Sequence, residues 1–290
     1  MSKFTINNPA FLSMAGNTGI SKGSDTFYIT ALEDNTTLTF IYPAFTEIST
    51  NNVDFFQAEE TMTLNAGNKI YIRVSSGITE VLGLSLFNID KKYNAGGICP
   101  SLAFYINKND TVMEATFLPK FEKTDIVDAS ELIVDISSVS QFENSTAGMF
   151  LDCTNLTTPP QLPVTTLQES CYTSMFRGCT SLRTAPVLPA TTLQAWCYTA
   201  MFMGCTSLRT APVLPATTLQ DSCYLNMFAD CTSLEEITCL AVNAGAIDSS
   251  TQTWLRGCSE TGTFIKAAGV EWPSGESGIP SGWTIQDYAG

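Results

Sequence analysis

A period of 26 residues constrains the second half of this chain more than any other feature. The stretch CTSLRTAPVLPATTLQ occupies positions 179–194 and recurs without a substitution at 205–220. The dipeptide Met-Phe follows the same step, at 149, 175, 201 and 227, and 254–258 begins a fifth, degraded copy. An active site is normally assembled once, whereas a stack of equivalent units needs the same side chains in every unit. The pattern therefore predicts a repeat architecture.

One unit of the repeat has an apolar pattern that predicts a short helix. Apolar residues recur at i, i+4, i+5, i+8, i+9 and i+12, which indicates one face of a helix of about three turns; they are Leu167, Cys171, Tyr172, Met175, Phe176 and Cys179. Thr166 and Glu169 have the spacing of a capping box, and Gly178 would end the helix. Residues 182–185 predict a very short strand, which Pro186 ends because proline cannot donate to a ladder.

Such a strand–helix coil has an apolar side that only another coil can cover. We therefore expect the coils to stack, with identical residues about one strand spacing (~4.8 Å) apart. The residues predicted to form this repeat core are Phe150, Cys153, Leu156, Cys171, Met175, Phe176, Cys179, Leu182, Cys197, Met201, Phe202, Cys205, Leu208, Cys223, Met227, Phe228, Cys231 and Leu234.

The letters of the repeat resemble a known family. The pattern CTSL…LP.TTL…CY..MF.G over 149–258, together with the closing segment 262–286, resembles the BspA-like leucine-rich-repeat proteins of gut Bacteroidota and their phages. The period of 26 lies within the range of leucine-rich repeats. The segments TALEDNTTLTF, LNAGNKIYIR and AGGICPSLAF resemble the small β domain that precedes such repeats. The resemblance implies a binding protein on the surface of a virion or a cell.

The first third of the chain is rich in short β segments. Residues 26–32, 37–42, 61–64, 69–74 and 81–87 alternate with clusters of Asn, Gly, Ser and Asp. Several short strands at this spacing predict a β-sandwich.

We accordingly expect a mainly β protein with short helices, divided into four parts. Residues 1–95 would form a small β-sandwich-like domain, 96–148 an N-terminal capping or degenerate coil, 149–258 a leucine-rich-repeat solenoid, and 259–290 a C-terminal cap. Terminal repeats are expected to be atypical because an open stack exposes apolar surface. Residues available to plug the C-terminal end are Phe264, Ile265, Trp272, Trp283 and Ile285.

The charge of the chain excludes several functions. It has 14 Lys and Arg against 28 Asp and Glu, a net charge of −14, and no histidine. Without a cationic face we expect neither a nucleic-acid partner nor attraction to an anionic membrane. Without histidine the commonest general base and His-ligated zinc are unavailable. We therefore expect no enzymatic activity, no catalytic residues, no metal site and no cofactor.

Two targeting signals are also missing from the sequence. No apolar run approaches the ~20 residues of a membrane helix, so we expect no membrane insertion. The first residues have no apolar core of signal-peptide length. This is expected of a chain that stays where it is made, of one released by lysis, or of an exported form trimmed of its leader.

Nine of the ten cysteines lie in or next to the repeats. Their positions follow the period, and no C-x-x-C occurs, which argues against a zinc ribbon. We expect free thiols that serve as small buried apolar groups in an internal ladder. A disulfide scaffold is the alternative, and it requires an oxidising compartment.

Residues that vary within the fixed frame of the repeat are candidates for partner binding. Glu169, Trp196 and Asp221 belong to one slot, where Trp196 takes the place of a serine and either displays its indole or fills a gap between coils. Arg183 and Arg209 belong to a second row that ends in Glu235. That row forms either a structural Arg–Arg–Glu ladder or a contact for an acidic partner.

These features favour a non-enzymatic binding or adhesion module. With the resemblance, we expect a bacteriophage virion surface protein, such as a capsid decoration or a head or tail fibre. Its β domain would contact other virion or surface proteins, and its solenoid would contact host glycan or protein. A bacterial cell-surface adhesin trimmed of its leader is the alternative. A carboxylate-based glycan hydrolase is a third, which needs two carboxyl groups roughly 5–9.5 Å apart in a cleft.

Overall fold

The structure, a computed structural model, describes residues 4–5, 26–41, 46–74, 80–81, 87–98, 102–108, 111–117, 121–136, 146–243, 247–275 and 277–289. The protein is mainly β, as predicted. Within the described residues the only α-helix, α1, has four residues (Ile247–Ser250). Two compact units divide the chain: Met1–Lys120 with Asp125–Phe142, and Phe121–Thr124 with Glu143–Gly290.

The first unit consists of short strands. They are β1 (Phe4–Thr5), β2 (Tyr28–Ala31), β3 (Thr36–Phe40), β4 (Thr46–Ser49), β5 (Phe56–Gln57), β6 (Thr61–Leu64), β7 (Lys69–Val74), β8 (Glu80–Val81), β9 (Phe87–Ile89), β10 (Tyr93–Ile98), β11 (Leu102–Lys108), β12 (Thr111–Phe117) and β13 (Ile126–Ile133). The largest sheet has the order β13–β10–β2–β7–β4–β5, and a second has the order β6–β3–β9. Strands β1 and β8, and strands β11 and β12, form antiparallel pairs.

Strand β7 shows how these sheets bury their apolar residues. Ile70 and Ile72 are buried, whereas Lys69, Tyr71 and Arg73 point to the opposite face and are half-buried. This alternation is the period of two expected of a strand that covers a core on one face. It explains why the β segments at 26–32, 37–42, 61–64 and 69–74 could be read from the sequence. Of the segment 81–87, residues 82–86 lie outside the described residues.

Residues 96–148, expected to form one capping segment, are shared between the two units. Strand β13 pairs in parallel with β10, from Tyr93 opposite Ile126 to Ile98 opposite Ile133, and so belongs to the largest sheet of the first unit. Phe121–Thr124 instead belongs to the second unit, where the N–H of Phe121 donates to the carbonyl of Met149 at 2.7 Å.

The predicted helix over 167–179 is wrong. We number the repeat copies from their Met-Phe pairs, so that copies 1 to 4 begin at Met149, Met175, Met201 and Met227. The equivalent segments at 169–178, 195–204 and 221–230 are runs of turns, and after copy 4 the chain forms the single helical turn α1 followed by turns at 251–257. The predicted strand at 182–185 is reduced to a single bridging residue, Thr184, which pairs with Thr210 of the next copy.

Alternating hydrogen bonds explain why these turns do not become a helix. Every second N–H donates across to the next copy, as from Phe176 to the Met201 carbonyl at 2.9 Å. The N–H groups between them donate three residues back, as from Cys179 to the Phe176 carbonyl at 3.1 Å. An α-helix would direct every N–H four residues back along its own chain. Bonds between copies therefore replace helical bonds.

Every fourth residue of the turn run has a left-handed backbone. In the turn run that includes the start of copy 2 these residues are Ser170, Ser174 and Gly178, with φ of 54°, 54° and 75°. Residues other than Gly, Asn and Asp rarely adopt this conformation. A left-handed residue at every fourth position prevents a continuous α-helix and gives the backbone a period of four residues. The apolar pairs Cys171-Tyr172 and Met175-Phe176 follow that period, which an α-helix of 3.6 residues per turn would not keep.

The second unit ends in a parallel sheet with the order β14–β15–β16, formed by β14 (Glu236–Cys239), β15 (Gly262–Lys266) and β16 (Trp283–Asp287). Of the residues expected in the C-terminal plug, Phe264, Trp272 and Trp283 are buried. Ile285 is instead 49% exposed, because β16 is the edge strand and its last four residues face solvent.

Candidate functional site

An aromatic ladder runs through all four copies. The rings of Phe121, Phe150, Phe176, Phe202 and Phe228 stack in sequence, with centroids 5.1 to 5.5 Å apart and planes within 14° of parallel. Each ring thus covers the next, and all are at most 1% exposed. The step of about one strand spacing is set by the hydrogen bonds between copies.

A second ladder stacks Tyr172, Tyr198 and Tyr224 at 5.8 and 6.0 Å and continues through Trp254 to Trp272. The ring of Phe264 meets both indoles edge-on, at 6.0 and 4.9 Å. The indole N–H of Trp254 donates to the carbonyl of Gly278 at 2.8 Å. Larger aromatic rings thus replace tyrosine where the copies end, and they close the apolar interior.

The cysteine after each phenylalanine binds to the copy before it. The thiol of Cys205 donates to the carbonyl of Phe176 at 3.1 Å, and that of Cys231 donates to the carbonyl of Phe202 at 3.0 Å. The same bond recurs from Cys153, Cys179 and Cys258 to Phe121, Phe150 and Phe228, at 2.9, 3.1 and 3.2 Å. These thiols act as hydrogen-bond donors as well as apolar groups, a role that the sequence analysis missed.

All nine described cysteines are free thiols, and Cys99 lies outside the described residues. Burial raises the pKa of the Cys153 thiol to about 11 and those of Cys171, Cys223, Cys239 and Cys258 to about 12. Burial also holds the pKa of Cys179, Cys197, Cys205 and Cys231 above the usual 9.0. Since the thiolate is the reactive form, these cysteines are poor nucleophiles at neutral pH.

Every other residue predicted for the repeat core is buried as well, none more than 2% exposed. These residues are Leu156, Met175, Leu182, Met201, Leu208, Met227 and Leu234. The interior of the second unit is therefore filled by structural side chains, and any partner has to bind its surface.

The slot that contains Trp196 is on the surface. Glu169 and Asp221 are exposed, and Trp196 is 43% exposed. Ser170, Trp196 and Ser222 have the same left-handed φ, of 54°, 54° and 50°. The carbonyl of Trp196 accepts a 2.9 Å hydrogen bond from the Thr173 hydroxyl, and that of Ser222 accepts an equivalent bond from Thr199 at 2.7 Å. The backbone frame is the same whether a serine or an indole occupies the slot.

The arginine row lies along the bridged edge of the copies. Thr184 pairs with Thr210, and Thr210 pairs with Glu236, which brings Arg183, Arg209 and Glu235 into register. Arg209 donates to both carboxylate oxygens of Glu235, at 3.2 and 3.3 Å, with both side chains more than half exposed. Exposed pairs of this kind contribute at most about 1 kcal/mol. Arg183 is exposed and forms no ion pair with a described residue.

An uncharged surface lined by proline is a further feature that the sequence analysis did not select. Two shallow grooves of about 460 and 380 Å³ lie side by side on the second unit. The first lies between 158–163 of copy 1 and 184–189 of copy 2, and the second lies between 185–189 and 212–215 of copy 3. Val187 lines both grooves and is 79% exposed.

The grooves lie where the neighbouring segments are not joined by backbone hydrogen bonds. No backbone hydrogen bond joins the described segments 185–190 and 211–216, each of which contains two prolines. Copy 4 has Thr238 and Ala241 where copies 2 and 3 have proline, and there the copies are bonded. Leu214 donates to the Thr238 carbonyl at 2.9 Å, and Leu240 donates back to Leu214 at 3.0 Å. These bonds use leucine N–H groups, and Leu188 and Leu214 provide the same N–H groups in copies 2 and 3, so the proline nitrogens do not account for the missing bonds.

The described part of the chain contains no group of three or more Cys, Asp and Glu side chains arranged to hold a metal ion. None of its helices has the length and hydropathy that crossing a bilayer requires.

Comparison with known proteins assigns no family. The chain matches no protein family, no curated protein and no solved structure.

Proposed function

We propose that this chain is a non-enzymatic binding or adhesion module on the surface of a phage virion. In this proposal residues 149–258 form a leucine-rich-repeat solenoid of the BspA-like type, which contacts a host glycan or host protein. The first unit is a β-sandwich-like domain that contacts other virion proteins. A bacterial cell-surface adhesin would use the same surface in the same way.

The observation that carries the proposal is the slot of Trp196. The frame of the repeat is constant there, since φ is within 4° in Ser170, Trp196 and Ser222, while the exposed side chain changes. A bulky residue in left-handed backbone costs roughly 1–2 kcal/mol. Serine occupies the same left-handed backbone in the neighbouring copies, so this conformation belongs to the frame and the exposed indole is the feature particular to copy 2. An exposed indole offers a flat apolar face for a sugar ring or a protein side chain.

The charges around the slot limit the kinds of partner that can bind there. Glu169 and Asp221 are exposed in the neighbouring copies, and the whole chain has a net charge of −14. A strongly anionic partner would be repelled. A neutral glycan, or a protein surface with basic groups, fits the slot better.

The test compares the full chain with Trp196→Ser, which gives the slot the residue found in the two neighbouring copies. We expect Trp196→Ser to weaken binding to host-cell envelopes or to a panel of mucin and plant glycans by tenfold or more. A matched control is Val53→Ser in the first unit, where the valine is 73% exposed and its replacement should leave binding unchanged. Equal binding by the wild type and Trp196→Ser would contradict the proposed site, and turnover of any glycan would contradict a non-enzymatic role.

The proposed location of the protein on the virion surface can be tested separately. Antibody labelling of purified virions in electron micrographs should decorate the particle surface. Labelling confined to the bacterial envelope would favour the adhesin, and a signal peptide encoded directly upstream would support the same conclusion.

A further inference from the structure

We propose that the proline-lined face is a self-association surface that joins two copies of this chain. The face consists of the two grooves between copies 1, 2 and 3 and the ridge between them, at 185–189. This inference goes beyond the proposed function, because it concerns a surface that does not include Trp196.

The shape of the face is complementary to itself. The ridge carries Val187, 79% exposed, and has a groove on either side. The next segment carries Val213, 47% exposed, on the far side of the second groove. Two such faces related by a twofold axis can place each ridge in a groove of the partner. The spacing of ridges and grooves matches automatically, because both faces are made from the same 26-residue repeat.

The charge of the face favours a second copy over other partners. No charged residue lines either groove, although the chain as a whole has a net charge of −14. Two copies approaching through any acidic surface would repel each other. Through this face they would bury proline and valine without desolvating a charge, which would otherwise be costly. An exposed row of valines next to apolar grooves is also the kind of patch that marks an interaction site.

The repeat keeps this face open. No backbone hydrogen bond joins the described segments 185–190 and 211–216, whereas copies 3 and 4 are bonded at the equivalent place, from the Leu214 N–H to the Thr238 carbonyl. A groove that the repeat keeps open, beside valines that it keeps exposed, is explained if the partner's ridge fills it.

The first test is the oligomeric state of the full chain by sedimentation velocity at increasing protein concentration. We expect a monomer–dimer equilibrium with a dissociation constant of roughly micromolar or weaker, since the interface is small. Val187→Arg combined with Val213→Arg should weaken dimerisation by tenfold or more. Val242→Arg, at a valine that is 52% exposed but lines neither groove, is the matched control and should leave the dimer intact.

Salt dependence gives a second readout. Because the proposed interface has no ion pairs and the chains repel each other, added salt should leave the dimer as stable or make it more stable. Val187→Thr keeps the shape of the side chain and should weaken the dimer several-fold without affecting folding. The proposal is overturned by a monomer throughout the concentration range, by a dimer unaffected by both Val187 variants, or by a glycan or foreign peptide that occupies the grooves of a monomer.

Discussion

The two units of this chain bury their apolar residues in different ways. In the first unit a strand such as β7 packs beside β2 and β4, which have different sequences, and each core residue has its own surroundings. In the second unit a residue packs against its own equivalent, as Phe176 does between Phe150 and Phe202. In a repeated sequence, therefore, one arrangement of side chains packs every copy, provided that every copy keeps its register.

High pH should produce the largest difference in stability between the two units. Unfolded thiols ionise near pH 9, whereas burial raises the pKa of the thiols of the second unit, to about 11 for Cys153 and about 12 for Cys171. A raised native pKa gives stability that is complete below pH 9 and is lost as the pH rises towards 12. The second unit should therefore lose stability over this range, and it should lose more than the first unit, whose sequence contains only Cys99.

Tryptophan fluorescence can follow this change, because all four tryptophans lie in the second unit. Denaturant midpoints measured by fluorescence should fall between pH 8 and pH 11. The stability of the first unit should fall less, as read from the protection factors of amides in β2 and β7, in which the base-catalysed intrinsic exchange rate is divided out. Replacing Cys171, Cys197 and Cys223 by alanine should flatten the pH dependence. A midpoint independent of pH would show that the thiols are not buried as described.

The next largest effect is expected at the centre of the phenylalanine ladder. Phe202 is fully buried between Phe176 and Phe228, with centroids 5.5 Å away on each side. Phe202→Ala should lower the free energy of unfolding of the second unit by about 3–5 kcal/mol. Val242→Ala, at an exposed position, should change it by less than about 0.5 kcal/mol. Similar values for the two variants would mean that the ladder contributes little.

A smaller effect is expected at two glycines with the same φ of 75°, Gly178 and Gly204. Alanine at either should cost roughly 1–2 kcal/mol from the left-handed backbone. A Cβ at Gly178 would lie only 2.2 Å from the Asp152 carboxylate, whereas at Gly204 it meets nothing closer than 3.9 Å. Gly178→Ala should therefore be the more destabilising in chemical denaturation. The difference should vanish when Asp152 is also replaced by alanine.

The smallest effect concerns the thiol as a donor. Cys205→Ser keeps a hydrogen-bond donor facing the Phe176 carbonyl, and Cys205→Ala does not. Serine should therefore be more stable than alanine at this position by about 1 kcal/mol, the usual net value of a hydrogen bond. If alanine proves as stable as serine, the cysteine ladder serves only as apolar filling.

The sequence predicted those parts of the fold that depend on side-chain periodicity. The period of two in β7 and the period of 26 in the repeats led to residues that are buried, including Phe202 and Cys205. It did not predict the backbone of the repeat. Apolar residues spaced by four and five fit both a helix and a run of four-residue turns, and only the bonds between copies decide which one forms.

Of the two candidate binding surfaces, the sequence predicted the slot of Trp196 but not the proline-lined face. The slot of Trp196 could be found because one residue departs from its copies. The proline-lined face was missed because Pro186 and Val187 are constant in copies 2 and 3, whereas only residues that vary between copies were candidates for partner binding. The signal was present in copy 4, where Thr238 and Ala241 replace the prolines.

The central claim is that register between copies holds the second unit together, and deletions test it most directly. Removing 179–204 takes out 26 residues and joins Gly178 to Cys205, so every ladder continues in register. Removing 179–203 takes out one residue fewer and shifts all later residues by one. The account predicts that the larger deletion keeps a single cooperative thermal transition and the smaller one lowers or abolishes it. Equal stability of the two deletions, or loss of folding in the 26-residue deletion alone, would contradict the account.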